Sequence, residues 1–220
     1  MTTVLLVGAN RGIGLAMARL FLSRGARVIA TCRDASPELR ASGAELVENV
    51  DVTQAEGLEA LLAALEGRRL DLVVLAAGIL ESDSLETFDE DTIRRHFEVN
   101  ALAPLRLARA LAPRLGKGAK LALLTSRMGS IGDNGSGGYY AYRMSKAALN
   151  AAGKSLALDL APRGVHVAIL HPGFVRTRMT GHQGLIEPEE SARLLVARID
   201  SLDGSTSGTF FHADGSVLPW

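Results

Sequence analysis

A chain of 220 residues that is 47% hydrophobic and 22% charged can bury one substantial core but is short for two independent domains, so a single domain over residues 1–220 is expected. Lysine plus arginine and aspartate plus glutamate stand at 24 each, which leaves no overall field to draw in nucleic acid or an anionic membrane. The single cysteine, Cys32, excludes an intrachain disulfide framework and a cysteine-rich zinc site, and fits a reducing compartment.

Residues 1–7 run into an apolar stretch without a basic leader, and no apolar run approaches the ~18 residues of a membrane span. A cytoplasmic protein with no anchor is expected. Strands are predicted at 4–7, 27–31, 45–50, 71–76, 120–125, 165–170 and 208–212, most of them continuously apolar as strands buried on both faces should be. Helical spacing separates them at 13–24, 54–66, 90–115, 141–161 and 188–199. That alternation predicts an α/β, doubly wound Rossmann fold: a mostly parallel, seven-stranded sheet flanked by helices on both faces. Its ligand crevice should lie beyond the carboxyl ends of the strands, so the long loops at 126–140 and 171–187 are where chemistry is expected.

The first strand leads into Gly8-Ala9-Asn10-Arg11-Gly12-Ile13-Gly14 and then a helix. Glycines let the backbone turn tightly and approach a pyrophosphate, whose charge a helix N-terminus stabilises. NAD sites usually place an acid at the end of the second strand to bind the adenosine ribose. Here that end reads Thr31-Cys32-Arg33, with Asp34 following. Arg33 and Arg11 instead offer guanidinium groups suited to a 2'-phosphate, so NADP(H) is favoured over NAD(H).

Tyr142 and Lys146 stand four apart at the start of a helix and share one face. A free phenol titrates near 10, too high for a base at neutral pH, and the ammonium of Lys146, assisted by the positive charge of an oxidised nicotinamide, is expected to lower it. In the reducing direction the phenol would donate its proton to a developing alkoxide. Ser126, at the end of the fifth strand, is placed to hydrogen-bond the same oxygen. Asn100 precedes Pro104 by four residues, and proline removes the N–H that would bond the carbonyl of residue 100. A kink is expected there, freeing that carbonyl for a water leading to Lys146. His96, His166, His171, His182 and His212 show no ligand spacing, so no metal site is expected.

The set Gly8-x-x-x-Gly12-x-Gly14, Asn100, Ser126, Tyr142-x-x-x-Lys146 and His171-Pro172-Gly173 resembles the short-chain dehydrogenase/reductase family. The stretches 125–146 and 210–220 resemble its C-factor and Sniffer-like carbonyl reductase subgroup. The resemblance implies a catalytic tetrad of Asn100, Ser126, Tyr142 and Lys146, with Lys146 also at the nicotinamide ribose. It further implies that Asp51 and Val52 hold the adenine, that Ala77 and Gly78 belong to the cofactor site, and that Pro172, Gly173, Val175 and Thr177 meet the nicotinamide end. A small carbonyl or alcohol substrate and a homodimer or homotetramer are implied as well, packed through the helices bearing Asn100 and Lys146, where Ala147, Ala148, Ala151, Ala152 and Gly153 allow close approach to a partner or to the sheet. Two positions depart from the family pattern: Val7 stands in place of threonine, and Leu75-Ala76-Ala77-Gly78 in place of Asn-Asn-Ala-Gly. Residues 179–187 carry little apolar surface and suggest a limited lid over a small or open pocket. Besides an oxidoreductase, a cofactor-binding signalling or regulatory protein of C-factor type and a lyase or epimerase using the same tyrosine and lysine are compatible with this reading.

Overall fold

A parallel sheet of seven strands forms the middle layer of the computed structural model, which describes residues 1–220. The strands are β1 (Thr3–Val7), β2 (Arg27–Thr31), β3 (Glu45–Val47), β4 (Leu70–Leu75), β5 (Leu115–Leu124), β6 (His166–His171) and β7 (Phe210–His212). They lie in the order β3-β2-β1-β4-β5-β6-β7. The helices are α1 (Gly12–Ser23), α2 (Pro37–Arg40), α3 (Ala55–Ala64), α4 (Glu90–Phe97), α5 (Ala103–Leu111), α6 (Tyr140–Leu160) and α7 (Pro188–Asp200).

The continuous apolar runs of the sequence find their explanation in two cores. Because successive side chains of a strand point to opposite faces, Val4, Leu6, Val28, Ala30, Val74 and Ala122 pack against α1 and α7. Leu5, Val7, Ile29, Val73, Leu75, Leu121 and Leu123 fill the other core with side chains of α5 and α6. A strand must then be apolar at every position, since burying each such leucine or valine contributes about 1.5–3 kcal/mol. No helix is long and apolar enough to cross a membrane.

All seven strands and the long helices stand where the sequence predicts them, and the differences are local. The expected helix over 90–115 is broken into α4, a π-helical turn at Glu98–Leu102 and α5. Pro104 sits in the first turn of α5, where its missing N–H is tolerated, and the wider π turn takes up the break. Strand β5 begins five residues earlier than 120, because Leu115 pairs with Leu70 across a register shift despite the intervening glycines. Strand β3 stops at Val47, and the chain then turns through Asn49, at φ 60°. The short helix α2 is absent from the sequence prediction; Ser36 caps it by accepting from Leu39 N at 3.1 Å.

Candidate active site

Strand β1 has β2 on one side and β4 on the other, so the crossovers leave it in opposite directions and a crevice opens above the β1/β4 boundary. A cleft of about 1450 Å³ occupies this place. Its wall includes Gly8, Asn10, Arg11, Gly12, Ile13 and Gly14 from the turn after β1, and Arg33, Asp51 and Val52 from the loops after β2 and β3. Ala77, Gly78, Tyr142, Lys146, Pro172 and Thr177 complete the wall from the other half. Ser126 and Asn100 are not in the wall: Ser126 is buried directly after Leu124 and Thr125, which are, and Asn100 is fully buried against Gly78. Gly173 and Val175 do not line the cleft: Val175 is buried and bridges Ile186, and Gly173 turns at φ 90° against the same isoleucine.

The glycine turn is built by backbone contact. A Cβ on Gly14 would lie 2.2 Å from the carbonyl oxygen of Gly8, and one on Gly8 would lie 2.6 Å from the nitrogen of Ala77. No side chain caps α1, and its first turn carries no acid. A helix start of this kind, behind a turn whose glycines let backbone approach closely, fits the pyrophosphate of a dinucleotide. Thr177 reaches across the cleft to the turn, its methyl 3.3 Å from where a Gly12 Cβ would stand. Asn10 has a different task from cofactor contact alone: its side chain accepts from Ser36 N at 2.6 Å and so ties the glycine turn to the segment after β2. Arg11 and Arg33 are both exposed on the rim. Asp51 accepts from Thr53 N at 2.9 Å and from the Thr53 hydroxyl at 2.7 Å, bonds that hold its carboxyl below the usual range, with the Arg33 cation adding to them.

Two apolar departures face each other. Val7 and Leu75 are register partners at the ends of β1 and β4, and both are buried. Replacing both members of a polar pair removes a net ~1 kcal/mol per hydrogen bond without stranding a polar group, and apolar burial offsets it. The pair therefore braces the two loops by packing.

Helix α6 carries Tyr142 and Lys146 into the cleft wall. Its start is fixed by Asp83 from the loop after β4, whose carboxylate accepts from Tyr140 N and, at 2.9 Å, from Ala141 N. Tyr139, at φ 53°, makes the turn into the helix after Gly137 and Gly138. Tyr142 and Lys146 are both buried, with Lys146 Nζ 5.8 Å from the centre of the Tyr142 ring. Nζ donates to the carbonyl of Leu124 at 3.0 Å. The Ser126 hydroxyl accepts from Met128 N at 3.1 Å, which leaves its O–H free to donate.

The part of the expected lowering of the Tyr142 phenol that rests on Lys146 alone is not met. Burial pushes Tyr142 up to about 12, against a smaller downward pull from Ser126. Burial likewise pushes Lys146 down to about 8. The ammonium lies over the ring face and spends a hydrogen bond on a carbonyl, so desolvation dominates both groups.

Asn100 acts as a clamp. Its Oδ1 accepts from Ile79 N at 2.9 Å, and its Nδ2 donates to Ile79 O at 2.9 Å and to Ser145 Oγ at 3.0 Å. Gly78 makes this possible, since a Cβ there would lie 3.1 Å from Asn100 Oδ1 and 3.5 Å from Lys146 Nζ. Ser145 passes the tie on by donating to the Tyr142 carbonyl at 2.8 Å. The sequence reading misses Asp83, Ser145 and the pair Thr125–Asn150, whose 2.6 Å hydrogen bond joins the end of β5 to α6. A cap 57 residues away from its helix leaves no local trace.

The lid is braced. Thr177 and Thr180 cap the short turn Arg178–Thr180 reciprocally, Leu185 N donates to Phe174 O at 2.7 Å, and Arg176 pairs with Glu187 at 2.9 Å.

With this geometry, the similarities to known proteins can be placed. A family model described as enoyl-(acyl carrier protein) reductase matches residues 7–199. The chain is 46% identical over 226 residues to the 1-hydroxy-2-glutathionyl-2-methyl-3-butene dehydrogenase of Rhodococcus sp. (strain AD45), covering 100% of both. It is 45% identical over 139 residues to the C-signal of Myxococcus xanthus, covering 62% of this chain and 84% of that one. Among solved structures, a carbonyl reductase from Pseudomonas aeruginosa PAO1 in complex with NADP superposes with a TM-score of 0.88 at 37% identity, covering 100% of both chains.

Proposed function

Because the chain belongs to the short-chain dehydrogenase/reductase family of oxidoreductases, we propose that it is an NADP(H)-dependent enzyme interconverting a ketone or aldehyde with its alcohol, with Tyr142 as the proton donor and acceptor. The observation that carries this reading is Tyr142 and Lys146 side by side in the wall of a cleft that begins at the glycine turn, with the Ser126 hydroxyl acting on Tyr142. The nicotinamide supplies or accepts the hydride.

The chain's own residues handle the proton and the oxygen. A phenol pushed up to about 12 stays protonated through the neutral range, which suits donation to an alkoxide oxygen and hence carbonyl reduction. Ser126 accepts from Met128 N with one lone pair and keeps its O–H to donate to that oxygen. Lys146 keeps two N–H donors beyond the one given to Leu124, available for a ribose and for returning a proton to the tyrosine. Asn100 holds the main chain at Ile79 and, through Ser145, the turn of α6 that carries Tyr142; a water between its main-chain oxygen and Lys146 would extend the proton path. Arg11 and Arg33 are the residues to receive a 2'-phosphate, and Asp51 with Val52 the adenine. Exposed Phe97, Leu105, Met144 and Leu158 on α4, α5 and α6 support self-association as a dimer or tetramer.

The test follows NADPH and NADH consumption over aldehydes, ketones and diones, and the reverse reaction on a glutathione-conjugated primary alcohol suggested by the Rhodococcus relative. Turnover is expected with NADPH and should fall by about 10²–10⁴ in Tyr142→Phe with NADPH binding kept. A Tyr142→Phe variant as active as wild type would sink the assignment. The likeness to C-signal supports a second reading, a cofactor-binding signalling protein, which gains if NADPH binds tightly and no carbonyl or alcohol is turned over.

A further inference from the structure

The segment that follows Ser126 is tied at its far end to Trp220. Gly132 N donates to the main-chain oxygen of Trp220 at 2.8 Å. A side chain on Gly132 would stand 3.2 Å from that oxygen and 3.5 Å from Pro219 Cβ, so the two chains lie in direct contact. Trp220 is held in its turn by Phe210, a fully buried residue of β7: the rings stack with centroids 5.7 Å apart and planes at 26°. Leu218 N donates to Phe210 O at 2.9 Å, and Val217 bridges Phe211 in the antiparallel sense, so residues 217–220 fold back on the edge strand.

From Gly132 the path returns to Ser126 in few steps. Asp133 N donates to Ser130 Oγ at 3.1 Å, Asp133 pairs with Arg127, and Gly129 N donates to Ser126 O at 2.8 Å. Asn150 Nδ2 also holds the near end on α6, donating to Gly129 O at 3.3 Å, whereas at the far end Ile131 is 81% exposed and the contact of Gly132 with Trp220 is the tie to the edge strand.

We propose that Trp220 is a positioning residue for Ser126, acting through its main-chain contact with Gly132 and its stack on Phe210. The proposal rests on the reading above that Ser126 acts on the reacting oxygen. A loop free to shift by about 1 Å can cost ~10²-fold in rate, so the anchor matters to turnover more than to cofactor binding, which also draws on the glycine turn, Arg11, Arg33 and Asp51 in the opposite half of the cleft.

The experiment compares full-length wild type with Trp220→Ala, Trp220→Phe and Gly132→Ala. For each, kcat and KM are measured on a carbonyl that wild type reduces, NADPH affinity by calorimetry, and amide exchange at Met128 and Gly129, whose acceptors belong to Ser126. Expected is a kcat lower by about tenfold or more in Trp220→Ala and Gly132→Ala, NADPH affinity within about twofold, and faster exchange at both amides. Trp220→Phe keeps a stacking ring and should restore most of the rate. Gly132→Ala perturbs the same contact from the loop side, so the question stays decidable if Trp220→Ala fails to fold. Unchanged exchange at Met128 and Gly129 in the variants would overturn the proposal, as would a loss of kcat matched by an equal loss of NADPH affinity and not rescued by phenylalanine. If wild type reduces no carbonyl, the oxidoreductase reading fails, while the exchange comparison still decides whether Trp220 holds Ser126.

Discussion

Lys146 stands in the interior with one hydrogen bond, to Leu124 O, and no carboxylate beside it. Its pKa falls from 10.5 to about 8, a difference worth ~3 kcal/mol. The sign is fixed by which state keeps the proton. Below pH 8 the side chain is charged in both folded and unfolded chains, and folding bears the full cost of burying the ammonium. As pH climbs from about 8 towards 10.5, the folded chain gives up its proton first and the cost is relieved. Lys146→Met is therefore expected to abolish turnover yet be ~1–3 kcal/mol more stable at pH 7, with the advantage shrinking by pH 9; urea unfolding at both pH values checks it. Equal or lower stability of the variant at both would contradict the account. For turnover, Tyr142 remains protonated well past neutrality, whereas the ammonium is lost above about 8. The rate of carbonyl reduction, as kcat/KM, should be level below pH 8 and fall above it, as a pH–rate profile will show. At this scale the residues Ser126, Tyr142 and Lys146 are legible from spacing and chain order. Their protonation is not, because desolvation depends on what surrounds the side chain in three dimensions.

Among the elements, α1 and α6 both depend on glycines, but for different neighbours. At Gly14 the obstacle to a side chain is the backbone oxygen of Gly8 at 2.2 Å, whereas at Gly153 it is the side-chain ends of Ile169 and Leu123 at 2.9 Å. Side-chain ends can move and a turn cannot. Gly14→Ala is expected to lose NADPH binding. Gly153→Ala should keep it at a cost of about 0–2 kcal/mol, since overpacking of ~1–3 kcal/mol is partly offset by the better helix former. Calorimetric titration with NADPH and thermal melts of the two variants separate these outcomes. Gly153 also shows what the small residues of α6 serve at this point, which is close approach to β5 and β6. The existence of each strand and long helix was readable because the sheet is apolar on both faces, while the π turn, the early start of β5 and the helix α2 rest on register and capping that a periodicity does not carry.

For the molecule as a whole, the cleft carries exposed cations around its rim, Arg95, Arg176 and Arg178 on one half and Arg11 and Arg33 on the other, and buried titratable groups in its interior. Arg11 and Arg33 lie on the rim near Asp51, and Tyr142 and Lys146 lie inside. Arg33→Ala should weaken NADPH by about tenfold and leave NADH little changed, one bidentate charge-assisted contact being worth about 1.5–3 kcal/mol. Equal effects on the two cofactors would place Arg33 outside 2'-phosphate recognition. The sheet order was legible as a class from the strand and helix alternation. The ties that bind its halves were not, since Asn10 with Ser36, Asn100 with Ile79 and Asp83 with α6 each join residues distant in sequence.

The contact of Val7 with Leu75 gives this cleft a thermal character. Hydrophobic association weakens as water is cooled, unlike the polar braces it stands in for, so the grip of β1 on β4 should slacken towards the freezing point. The two loops so joined, at Gly8 and at Ala77, should then drift apart before the sheet itself opens. Such a protein would lose cofactor affinity in the cold more steeply than a Val7→Thr, Leu75→Asn double variant, a difference that titration at a series of low temperatures would reveal.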